Sequence, residues 1–62
     1  MNQKLKAKII EMFGSQADFA VAAEEHESLV SRVIRNRVRL SDRKAEKWAS
    51  ILKCDEETFF GK

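Results

Sequence analysis

Proline is absent from this chain, tyrosine is absent too, glycine occurs twice and cysteine once. Without proline there is no rigid linker, no polyproline segment and no built-in helix breaker. A lone Cys54 excludes an internal disulfide; behind an apolar run, it is expected to be a buried, reduced thiol. Two glycines cannot make a glycine-rich loop of the kind that cradles phosphates. No apolar run approaches the ~20 residues of a membrane-spanning helix. The charged opening MNQKLKAKII lacks a cleavable signal pattern, so a cytoplasmic location is expected. Low-complexity tracts and repeats are missing. The 62 residues have room for one domain, residues 1–62, with one modest core and no separate substrate domain.

The chemistry of catalysis is thin as well. His26 is the only histidine, with no cysteine near it, so no metal site and no cofactor are expected. No nucleophile is paired with a base, and no hydrolase motif occurs, so the chain is not expected to be an enzyme or to take a small-molecule substrate.

What the chain does have is helical periodicity and a segregated charge. A net charge of +2 says little by itself, but residues 11–27 carry five acids and no base, whereas residues 28–53 carry eight bases against Asp42 and Glu46. A basic centre after an acidic segment suggests one face suited to phosphates. The plain alternative is that these charges only solvate helices.

Leu5, Ile9, Met12 and Phe13 form one apolar stripe of a first helix, Gln3 to Phe13, which Gly14 is placed to end. Ser15 caps a second helix from Gln16 to about Ala23, with Asp18 three positions on. Phe19, Ala20 and Ala23 face inward there, and the small Ala20 permits a close helix crossing. A third helix, about Glu27 to Arg37, has the stripe Leu29, Val30, Val33 and Ile34, with Asn36 as a candidate left-handed end. Ser41-Asp42 opens a fourth helix whose inner face is Ala45, Trp48, Ala49 and Leu52, flanked by Ile51. Asp55 caps a last turn, Glu56 to Phe60, and Phe59 with Phe60 closes the core. The expected class is therefore all-α, a compact bundle of four to five helices. A core of Leu5, Ile9, Phe13, Phe19, Ala20, Val30, Val33, Ala45, Trp48, Leu52 and Phe59 suffices for it.

A rival reading runs one unbroken helix from Ser15 to Arg37, since Ala20, Ala23, Glu27, Val30 and Ile34 fit a single face and no glycine or proline intervenes. It would carry Glu24-Glu25-His26-Glu27 through its middle with no apolar residue, and its length would be unusual in so short a chain. The broken version is expected. A short helix, a polar turn and a second helix followed by arginines have the outline of a helix-turn-helix, at about residues 16–37.

The order of these segments resembles the lambda-type phage repressor and Cro family, more broadly the xenobiotic-response-element-type helix-turn-helix domains. The resemblance covers nearly the whole chain. It rests on Phe13-Gly14-Ser15-Gln16, on Phe19-Ala20, on Ser28-Leu29-Val30-Ser31-Arg32-Val33, and on the basic stretch Arg35-Asn36-Arg37-Val38-Arg39-Leu40-Ser41. Ala45-Glu46-Lys47-Trp48-Ala49 and Leu52-Lys53-Cys54-Asp55-Glu56-Glu57-Thr58-Phe59 complete it. Three positions depart from the family pattern. Glu24 stands where glycine is usual, at a cost of about 1 kcal/mol if held left-handed. Glu25 stands where an aliphatic plug is usual, and His26 where a small capping residue begins the next helix.

The resemblance implies a sequence-specific transcriptional regulator of double-stranded DNA, a repressor or Cro-like protein, located at the nucleoid when bound. Glu27, Ser28, Ser31 and Arg32 would be its base readers. The Arg32 fork matches the two major-groove acceptors of guanine, and Glu27 can accept from a cytosine amino group or simply favour its helix terminus. Gln16 would contact phosphate, with Arg35, Arg37, Arg39, Arg43 and Lys44 as the further phosphate set. Two copies on a pseudo-palindromic operator are expected from docking geometry, as a homodimer formed around Trp48 to Phe60 or only on DNA. The alternative is an adaptor derived from a helix-turn-helix, or the antitoxin of a toxin–antitoxin pair, whose acidic turn binds a protein.

Overall fold

The structure is a computed structural model describing residues 1–60, and it is all-helical. Five helices follow one another: α1 (Gln3–Phe13), α2 (Gln16–Ala23), α3 (Glu27–Ile34), α4 (Asp42–Ile51) and α5 (Glu56–Phe60). Its radius of gyration is 10.1 Å, close to the roughly 10.6 Å of a compact domain this long. No helix among the described residues is long and apolar enough to cross a membrane.

Short helices need well-made ends, because each leaves four amides and four carbonyls without intrahelical partners. The N-termini are capped by side chains. Asn2 Oδ1 accepts from Leu5 N–H at 3.1 Å, Ser15 Oγ from Asp18 N–H at 3.1 Å, and Ser41 Oγ from Lys44 N–H at 3.3 Å. His26 heads α3 with no side-chain cap bond, as expected where a small hydroxyl residue is replaced.

The C-termini solve one problem four times. Gly14 (φ 84°) closes α1 with its N–H on Ile10 O at 2.9 Å. The other three ends are Schellman motifs built on residues other than glycine. Glu24 (φ 58°), Asn36 (φ 61°) and Lys53 (φ 57°) take the left-handed position. The following amides reach back five residues: Glu25 to Ala20 O (2.8 Å), Arg37 to Arg32 O (2.9 Å) and Cys54 to Ala49 O (3.0 Å). The helix is therefore broken between Ala23 and Glu27, and the unbroken-helix reading is excluded. The Asn36 closure also ends α3 at Ile34, so the expected helix to Arg37 is three residues too long. Arg35 and Arg37 belong to the cap and not to the helix.

The core is built from Leu5, Ile9, Phe19, Ala20, Ala23, Val30, Val33, Ile34, Trp48, Leu52 and Phe59, with Ala45 and Ala49 also buried. At its centre Trp48 meets Phe19 edge-on at 5.1 Å, and Phe19 meets Phe13 at 5.3 Å. The Trp48 indole N–H is buried without a hydrogen-bond partner. Two expectations fail here. Met12 is 37% exposed, because it sits about 60° around the helix from Ile9, on the far side of Ile9 from half-buried Phe13. Cys54 is half-buried instead of buried, and its thiol is free.

One residue fastens both ends of the described chain to the middle. Asn2 donates its backbone N–H to Ile34 O at 2.6 Å and its side-chain amide to Phe59 O. With its cap bond to Leu5, Asn2 joins the start of α1 to the end of α3 and to α5.

Candidate nucleic-acid interface

Burying the apolar stripe of α3 decides what its other side offers. Val30, Val33 and Ile34 are in the core and Leu29 is half-buried. Positions 27, 28, 31 and 32, spaced by one and four, therefore share the opposite face. Glu27, Ser28 and Arg32 are exposed there and Ser31 is half-buried. The left-handed break at Glu24 allows this exposure, since it turns the chain so that α3 packs with one stripe and presents the other.

The basic groups gather after α3. The Asn36 cap projects Arg35 and Arg37 from the end of the helix, and the connection to α4 carries Arg39; all three are exposed. Arg43 is exposed in the first turn of α4. No side-chain hydrogen bond or ion pair among the described residues engages the guanidinium group of Arg32, Arg35, Arg37, Arg39 or Arg43. Their forks are unused donors, of the kind that engage phosphate or a base edge in pairs. Gln16 is the first residue of α2, half-buried, beside the Ser15 cap.

Lys44 departs from the rest of the expected phosphate set. Its ammonium lies 3.3 Å from Oε1 of Glu25 and is already paired within the molecule. The Glu25 side chain is only 9% exposed. The sequence led us to expect a missing plug at this position. The structure instead shows a carboxylate tucked under the α2–α3 connection and joined to α4. Nothing in sequence spacing links positions 25 and 44; the only signals were an acid in place of an aliphatic residue and a lysine early in a helix. No His, Cys, Asp and Glu cluster among the described residues could hold a metal ion.

No family model, curated protein or solved structure matches this chain. The functional reading rests on the residues and their placement.

Proposed function

We propose that this protein is a sequence-specific double-stranded DNA-binding regulator, in which α2, the Glu24–His26 connection and α3 act as a helix-turn-helix. In this reading α3 lies in the major groove, with Glu27, Ser28, Ser31 and Arg32 toward base edges. Gln16, Arg35, Arg37, Arg39 and Arg43 engage phosphates on either side. The observation that carries it is that Arg32 on α3 and Arg35, Arg37, Arg39 and Arg43 after it are all exposed, with no guanidinium partner among the described residues. The resemblance to the lambda-type repressor and Cro family supports the same assignment, and with it a homodimer on a pseudo-palindromic operator.

Selection of bound sequences from random duplex DNA tests the proposal. Binding should weaken steeply with salt, by a slope of about 0.9 per phosphate neutralised. Arg32→Ala should lose about 1–3 kcal/mol against the preferred site and relax specificity at one base position. Arg35→Ala should weaken all sequences alike and lower the salt slope by about one. Variants that bind the selected duplex as well as wild type would sink the groove assignment.

A second reading is favoured by one observation. Glu24 and Glu27 are exposed, and Val21, whose carbonyl accepts from the Glu24 N–H, is 79% exposed on α2. A protein partner at this acidic, partly apolar surface would make the chain an adaptor or antitoxin. Absence of any salt-sensitive duplex binding would select that reading.

A further inference from the structure

The contact between Glu25 and Lys44 is unusual for a surface ion pair in three respects. It joins residues nineteen positions apart. Its acid is almost wholly covered, at 9% exposure, while its lysine is about half exposed, at 48%. And it sits where the α2–α3 connection meets the first turn of α4. There the Ser41 hydroxyl receives the Lys44 amide, and Arg43 adds a second cation.

A cation in the first turn of a helix is electrostatically misplaced, because the helix dipole is positive at that end. Asp42 contributes one negative charge in the same turn. Lys44 nevertheless reaches away from its own helix to a carboxylate on the α2–α3 connection. The geometry at Glu25 favours that reach. The Schellman closure donates the Glu25 N–H to Ala20 O and turns its side chain beneath the connection, where an ammonium is the available counter-charge. The pair therefore connects the entry of α3 to the start of α4 and occupies the cation next to Arg43.

We infer that Glu25 is an internal stand-in for a DNA phosphate: it holds Lys44 in the free protein, and the duplex backbone must displace it to recruit Lys44. This rests on the DNA-binding reading above. It makes Glu25 a positioning residue that lowers affinity by competition without itself touching DNA. Phosphate can compete because half-exposed Lys44 is within solvent's reach and is held by a single 3.3 Å contact.

The test is a set of four variants, Glu25→Gln, Lys44→Met, the double variant and Glu24→Gln, titrated against the duplex that wild type selects from a random pool. Affinities are read across a salt series, and folding is checked by the emission of Trp48. Glu25→Gln should bind about two- to fivefold tighter, the range set by an ion pair of this exposure. Its salt slope should steepen by up to about one unit, as Lys44 no longer trades one anion for another. The gain must vanish in the Lys44→Met background. Glu24→Gln removes an adjacent exposed acid and measures what loss of a negative charge does through space; it should give the smaller effect.

An unchanged affinity for Glu25→Gln overturns the inference, and so does a gain that survives Lys44→Met or equals that of Glu24→Gln. In those cases wild type still binds duplex in a salt-dependent way, and the DNA reading stands. If wild type binds no duplex at all, the DNA reading fails and the inference fails with it.

Discussion

Gly14 and Glu24 occupy the same backbone region at the ends of neighbouring helices, one with the residue suited to it and one without. Exchanging their chemistry measures what the left-handed position costs. A Cβ added at Gly14 would meet nothing within 4 Å, so Gly14→Ala carries no clash and reports backbone strain alone. An L residue held left-handed costs about 1–2 kcal/mol, and the less flexible unfolded chain of an alanine variant returns about 0.4–1. The net expectation is a loss of about 0.5–1 kcal/mol for Gly14→Ala. Glu24→Gly reverses every sign and should gain a similar amount. For a domain of this size that is a shift of roughly 2–8 °C in Tm, downward for the first and upward for the second. Thermal unfolding followed by far-ultraviolet circular dichroism reads both, and Glu24→Ala separates the loss of charge from relief of strain. The alanine variant should stay near wild type. A Glu24→Gly protein that melts no higher than Glu24→Ala would refute the strain argument.

Other perturbations follow from single contacts. Trp48→Phe removes a buried donor without a partner, which offsets much of the lost packing; urea denaturation should place it within about 1.5 kcal/mol of wild type, against about 3–5 for Trp48→Ala. Asn2→Ala deletes a helix cap and the amide bond to Phe59 together, and should cost about 1–2 kcal/mol by the same measurement. Because that loss also loosens α5, hydrogen exchange should quicken at residues 56–60 more than in α2.

The helices were legible in the sequence because their signals are local. Apolar residues at spacings of three and four, and hydroxyl residues at 15 and 41, mark faces and starts without reference to the rest of the fold. Asn36 was legible as a left-handed residue, but its effect on length was not, since Arg35 and Arg37 are good helix formers and only the closing bonds show where α3 stops. Met12 was misplaced because a stripe drawn from spacing is wider than the strip the neighbouring helices cover. The exposed face of α3 could be read from its apolar complement. The Glu25–Lys44 pair and the Asn2 bonds could not, because each depends on where a distant backbone comes to rest.

An eight-residue helix such as α3 is too short to persist on its own in water. The face that carries Glu27 and Arg32 thus exists only while Val30, Val33 and Ile34 remain seated against the other helices. Loss of the core therefore removes the exposed face as well. A genetic screen for loss of function should therefore return the residues around Trp48 and Phe19 more often than those on the exposed face. A second selection, for protein level, is needed to tell variants altered on that face from unfolded ones. Substitutions that relax the helix ends, distant from α3, should rescue the unfolded class and leave variants of the exposed face unrescued.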